Sequence, residues 1–165
     1  MGSTVVLRPT FDAEATLQAV AEHEATVLAI VPVMLQRLLA DDALDAAKLQ
    51  SLRIVASSGS ALPAAVATEW MHRVAPNLYN LYGSTEVGQA TIADPSDLQA
   101  AAGTAGRVVP GSTVRILDDQ GTEVTTGTEG RIFVGNGAQF SGYTGGGTKE
   151  RIDDLMASGD VGYFD

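Results

Sequence analysis

The sequence predicts an α/β fold: a βαβαβ run forming a mostly parallel sheet with flanking helices, followed by an antiparallel β segment with the character of a partial barrel. Three observations carry this expectation. Through the first half, short β-branched-rich apolar runs alternate with segments of helical periodicity, the order that favours right-handed crossovers and parallel pairing. From about Gly103 the pattern changes to short strands separated by Gly, Pro and Asp turns. The hydrophobic fraction of 45% over 165 residues is enough to bury a sizeable core. The change near Gly103 divides the chain into an α/β part, residues 1–102, and a β-rich part, residues 103–165.

Asp12 is placed to cap a helix over 13–24, in which Leu17, Val20, Ala21 and Glu24 recur at helical spacing. Thr26 to Val31 is a continuous apolar run ended by Pro32 and reads as a buried parallel strand. A helix over 33–40 follows. Leu52 to Ala56 reads as a second strand, entering the small-residue turn Ser57-Ser58-Gly59-Ser60. Pro63 suits the first turn of the next helix, where Ala67, Trp70, Met71 and Val74 form an apolar stripe ended by Pro76. Trp70 is read as packing. Asn77 to Leu81 is the third strand, running into Tyr82-Gly83-Ser84-Thr85-Glu86. Further strands are expected near 106–109, 114–117, 123–125 and 131–134, and a short helix from Lys149 to Met156.

Composition excludes several partners. Ten Lys and Arg against 20 Asp and Glu give a formal net charge of -10, which repels nucleic-acid phosphates and anionic lipid surfaces. There is no cysteine, so neither a disulfide nor a thiolate nucleophile is available. His23 and His72 fall in patterned helical segments and read as surface residues. No apolar run reaches the roughly 20 residues of a membrane span, and the start carries no leader pattern, so the expected location is cytoplasmic. The chain stops at Asp165 directly after a patterned segment, which predicts a fragment. A fragment would expose apolar surface, and dimerisation through that surface is expected.

The segment from Tyr82 to Glu86 follows a predicted strand, and ligands of open α/β sheets bind at the carboxyl ends of strands. Its parts suit a nucleotide: an aromatic face to stack on a purine, a glycine permitting backbone approach, two hydroxyls for phosphate, and a carboxylate suited to Mg2+. Alone, the five residues suit a core aromatic followed by capping residues at least as well. Asp160 could accept from both hydroxyls of a ribose or simply close a turn. Gly145-Gly146-Gly147 is not followed by the Gly-Lys-Ser/Thr of a phosphate loop, and no Gly-x-Gly-x-x-Gly follows the early strands.

Taken in order, these segments resemble the AMP-forming acyl-adenylating superfamily, most of all the fatty acyl-CoA synthetases. Ser58-Gly59-Ser60-Ala61-Leu62-Pro63 is similar to its adenine-contacting turn, and Leu81-Tyr82-Gly83-Ser84-Thr85-Glu86 to its Tyr-Gly-x-Thr-Glu signature. Gly103 to Val134, Phe140-Ser141-Gly142-Tyr143 and Ser158-Gly159-Asp160-Val161-Gly162 match its later motifs. The resemblance implies that Tyr82 stacks on adenine while Gly59, Ser60 and Ala61 border the base. It implies that Thr85 bonds the α-phosphate, Glu86 binds Mg2+ and Asp160 holds the ribose, and that Gly83, Ser84, Val87 and Gly88 border the acyl group. ATP, Mg2+ and CoA are the implied cofactor and co-substrates, and the implied product is a fatty acyl-CoA of lipid metabolism. Other implied readings are an aryl-CoA ligase, a peptide-synthetase adenylation domain and a non-catalytic binding module.

The sequence departs from the family pattern in three ways. The family's phosphate loop and the lysine-bearing C-terminal domain have no counterpart in these residues, so the 165-residue piece alone is expected to be inactive. Ser158 stands for the usual threonine. Thr144-Gly145-Gly146-Gly147 replaces a Trp- and Pro-containing segment and leans the resemblance toward the fatty acyl subgroup.

Overall fold

A computed structural model describes residues 2–165, which divide into two compact units: residues 2–80 with 93–106, and residues 81–92 with 107–165. The first unit begins with α1 (Ala13–Glu22), whose first turn is capped by Asp12 through a 2.8 Å bond from the Ala15 N–H. β1 (Val27–Ile30), α2 (Pro32–Leu39), β2 (Ile54–Ser57) and α3 (Ala64–Arg73) follow, and β3 (Leu78–Ser84) starts here and ends in the second unit. The strands run in the order β1-β2-β3 and pair in parallel, Val27 opposite Ile54 and Val55 opposite Leu78. The parallel βαβαβ reading therefore holds.

The core of this unit gathers Leu17 and Val20 of α1, Leu35 and Leu38 of α2, Val55 of β2, Trp70 of α3 and Leu78 of β3. Trp70 is fully buried, and its indole N–H donates to Asn77 Oδ1 at 3.0 Å. Asn77 Nδ2 donates in turn to the Leu52 carbonyl at 2.9 Å, so this polar bridge is satisfied at both ends. The expected burial of the first strand is corrected. β1 is the outer strand of its order and pairs on one side only; Val27 is 56% exposed and only Ile30 of the strand is buried.

The second unit holds the end of β3, then β4 (Gly88–Ala93, of which 88–92 belong here) and β5 (Arg107–Val108), in the order β3-β4-β5 with β4 and β5 antiparallel. Its other sheet is antiparallel with the order β6-β7-β9-β8, built from β6 (Thr113–Leu117), β7 (Gly130–Gly135), β8 (Arg151–Ile152) and β9 (Leu155–Gly162), and it curls into the half-barrel expected. A β-bulge interrupts the β7–β9 register between Arg131 and Phe133. Val87, Ala90, Val134 and Met156 form its central cluster, with Tyr82, Val114, Ile132 and Phe140 around them.

Two expectations fail here. The helix from Lys149 to Met156 is a hairpin: β8 turns at Asp153, whose φ of 52° no helix accommodates, into β9. Residues 123–125 form no strand, only an isolated bridge from Leu117 to Glu123. Between the strands the sequence reading missed β4 and α4 (Pro95–Ala100), a helix with a full capping box in which Asp94 and Asp97 each accept from the other's backbone N–H. Among the described residues no helix is long and apolar enough to cross a membrane.

Candidate functional site

β3 carries Tyr82 and Gly83 past its pairing with β2, and the chain reverses through Thr85, Glu86 and Val87 into β4. The Tyr82–Glu86 segment is thus half strand and half turn. The reversal is tight. A Cβ on Gly83 would lie 2.2 Å from the Gly88 carbonyl oxygen, closer than any side chain can approach, and Gly88 sits at φ 69°. Gly83→Ala is therefore expected to lower the stability of the fold by several kcal/mol, about 2–4 by comparison with overpacked sites. Thermal unfolding checks this, and a Tm within 2 °C or so of the parent would show that the hairpin can relax.

Ser84 organises the turn. Its hydroxyl donates to Glu86 Oε2 at 2.8 Å and accepts the Glu86 and Val87 N–H groups at 3.3 and 3.4 Å. The Tyr143 hydroxyl donates to the other carboxylate oxygen, Oε1, at 3.0 Å. Glu86 is held below the usual carboxylate range by the Ser84 hydroxyl first, then by its own backbone N–H and by Tyr143, with a smaller contribution from the Lys149 charge. It stays ionised near neutral pH. Thr85 is exposed at the bend; Val87 is wholly buried and packs in the unit's core with Ala90, Val134 and Met156.

Asp160 lies in β9, 78 residues from Tyr82, yet its Oδ2 accepts from the Tyr82 hydroxyl at 2.8 Å. The Asp160 N–H donates to the buried Ser158 hydroxyl at 3.1 Å, and the Lys149 ammonium donates to the Ser158 carbonyl. Burial pushes the Tyr82 phenol up to about 12; the Ser158 hydrogen bond opposes this, while the hydrogen bond to Asp160 and its negative charge add to it. Tyr82 is accordingly a neutral donor at any working pH, with its ring half-buried against the core.

One unit therefore brings Tyr82 to Asp160 and Ser84 to Glu86 in two hydrogen-bonded pairs. Gly59, Ser60 and Ala61 belong to the first unit, where they form an exposed loop after β2 with Gly59 at φ 89°. Tyr143 and Lys149 were missed as site residues. The readable signal for Tyr143 was an aromatic directly after Gly142 and three residues after Phe140; nothing local marks Lys149.

The donor set fits Mg2+ in one particular way. Among the described residues no three acidic or histidine side chains gather to make an all-protein metal site. Glu86 offers one carboxylate, which matches the habit of Mg2+ of using one or two carboxylates together with substrate phosphates and water.

Residues 1–144 match the family model described as "AMP-binding enzyme". The indoleacetate–CoA ligase of Aromatoleum aromaticum is 38% identical over 134 residues, 81% of this chain and 26% of that protein. The 3-hydroxybenzoate–CoA/4-hydroxybenzoate–CoA ligase of Thauera aromatica is 32% identical over 86% of this chain and 27% of its own length. The ATP-bound MatB structure from Rhodopseudomonas palustris superposes with a TM-score of 0.85 at 30% identity, over 96% of this chain and 32% of that one. The chain spans about a quarter of the length of these curated relatives.

Proposed function

This chain belongs to the AMP-binding enzyme family, and from that premise we propose that the protein carrying it is an ATP-dependent acid–CoA ligase. A carboxylate oxygen attacks the α-phosphorus of ATP, releasing pyrophosphate and forming acyl-AMP; the CoA thiol then attacks the acyl carbon, releasing AMP and giving the thioester. The observation that carries the reading is the Tyr82–Asp160 bond. It fixes an aromatic face and a carboxylate side by side, 78 residues apart in sequence, as a base-stacking and ribose-binding pair requires.

Tyr82 stacks on the base. Asp160 accepts from the ribose hydroxyls and Thr85 donates to the α-phosphate. Glu86 holds Mg2+, which when bound neutralises phosphate charge. The chain's own residues act by orientation: Ser84 and Tyr143 fix the Glu86 carboxylate, and the Tyr82 hydroxyl fixes that of Asp160. Gly83, Ser84, Val87 and Gly88 line the approach of the acid.

An aromatic acid is the better supported substrate. The named relatives act on indoleacetate and hydroxybenzoates, whereas the lean toward a fatty acid rested on Thr144 to Gly147, a segment whose glycines serve a turn beside Glu86. The full-length protein, assayed by ATP–pyrophosphate exchange and by CoA thioester formation, should prefer indoleacetate or 4-hydroxybenzoate to octanoate by about tenfold or more in kcat/KM. Equal or better turnover of octanoate returns the reading to a fatty acyl-CoA ligase. No exchange with any acid argues for a binding module on the same scaffold.

A further inference from the structure

One loop grips Glu86 twice. The Phe140 N–H donates to the Glu86 backbone carbonyl at 2.9 Å while the Tyr143 hydroxyl donates to its carboxylate at 3.0 Å. The loop is closed on itself by the Tyr143 N–H donating to the Gly147 carbonyl at 3.1 Å and the Gly146 N–H to the Tyr143 carbonyl at 2.9 Å, and the Phe140 ring meets the Tyr143 ring edge-on, centroids 4.8 Å apart. This closure places Gly142, Gly146 and Gly147 at φ 148°, 87° and 90°, which other residues avoid. A Cβ at 146 or 147 would meet nothing within 4 Å, so conformation rather than crowding calls for glycine there.

Tyr143 is itself exposed, so burial does not account for its fixed place. With Ser84 on Oε2 alone, the Glu86 side chain could still turn about its outer bonds. A second donor on Oε1 removes that freedom, yet each carboxylate oxygen keeps a lone-pair site, because a carboxylate offers about four. A metal then meets a ligand whose rotamer entropy is already lost.

We propose that Tyr143 is a positioning residue for Glu86, presented by the glycine-closed loop 140–147 so that the carboxylate stands ready for a divalent cation. The proposal rests on reading Glu86 as the Mg2+ ligand of an ATP site. It also accounts for the stretch of glycines that no phosphate-loop motif explains.

The test uses the full-length protein with ATP and Mn2+ as the probe, free Mn2+ being read by electron paramagnetic resonance without turnover. Tyr143→Phe keeps the ring on Phe140 and removes only the hydroxyl. It should weaken Mn2+ binding about tenfold, the loss usual when a partner of a metal ligand is removed, and should move the Mg2+ concentration for half-maximal exchange more than the rate at saturating Mg2+. Gly147→Ala, which strains the loop without touching Tyr143, should shift both in the same direction. Unchanged Mn2+ affinity in Tyr143→Phe, with binding lost in Glu86→Ala, overturns the positioning role and leaves the metal ligand standing. Unchanged affinity in Glu86→Ala overturns the metal reading and this proposal with it. A lower saturating rate at unaltered Mn2+ affinity assigns Tyr143 a general structural role and also overturns the proposal.

Discussion

Replacing Glu86 by alanine is expected to reduce ATP–pyrophosphate exchange by the full-length protein roughly a hundredfold or more, the scale seen when one preorganised electrostatic partner of a reacting phosphate or oxyanion is removed. The turn explains why the loss should be large and local. Ser84 and Tyr143 both spend their hydroxyls on this one carboxylate, and among the described residues no group of three or more acidic or histidine side chains gathers to hold a metal ion. Glu86→Gln separates charge from shape, since an amide can keep hydrogen-bonded neighbours while losing the anion. It should fall nearly as far as alanine, with circular dichroism unaltered. An exchange rate for the glutamine variant within a factor of two or so of the parent would mean that the negative charge at this position does not act in the reaction.

Trp70→Ala should be the most damaging single change to the fold. The side chain is wholly buried among the residues that join α1, α2, α3 and the parallel strands. Truncations of this kind cost about 3–5 kcal/mol, and here the indole also leaves Asn77 Oδ1 without its donor in a buried place. Against a typical total of about 5–15 kcal/mol, that is enough to unfold a marginal domain. Urea denaturation followed by far-ultraviolet circular dichroism should show a midpoint lower by about 2 M. Trp70 is the chain's single tryptophan, so fluorescence of the parent protein reports on the same core. A midpoint shift under 0.5 M or so would show that the pocket collapses around the missing ring.

The parallel half was legible because its residues obey one period at a time. Leu17 and Val20, or Ala67 and Trp70, repeat only as a helix does, and each helix is bounded by Asp12, Pro32 or Pro63. The segment from Lys149 to Met156 was not, because Ile152, Leu155 and Met156 satisfy helical spacing and a two-strand hairpin equally well; Asp153 at φ 52° decides, and aspartate is one of the few residues that tolerates that region. β1 misled differently. An apolar parallel strand is expected to be covered on both faces, but at the outside of the order Val27 stands exposed. α4 announces itself in Asp94-Pro95-Ser96-Asp97, a capping box with proline in its first turn that was there to be read. At the site, Tyr82, Ser84, Glu86 and Asp160 were singled out through the order of their motifs in the chain. Their hydrogen-bonded pairings were not legible, because the Tyr143 hydroxyl donates to Glu86 across 57 residues, and the Tyr82 hydroxyl donates to Asp160 across 78. Such pairings belong to the fold of the antiparallel sheet and have no local period.

The Gly83–Gly88 approach also bears on how such a protein could be retuned to a different acid. Of the four positions proposed to border the acid, 83 is closed by backbone, and 88 combines φ 69° with Ala138 and Asn136 only 3.2 Å from a new Cβ. Val87 is part of the core, and Ser84 is the residue that holds Glu86. A library randomised over this hairpin is therefore expected to return unfolded variants, or variants that have lost the hold on Glu86, before it returns altered preferences. Diversification of the substrate range has to come from residues elsewhere, with this hairpin left as the constant part.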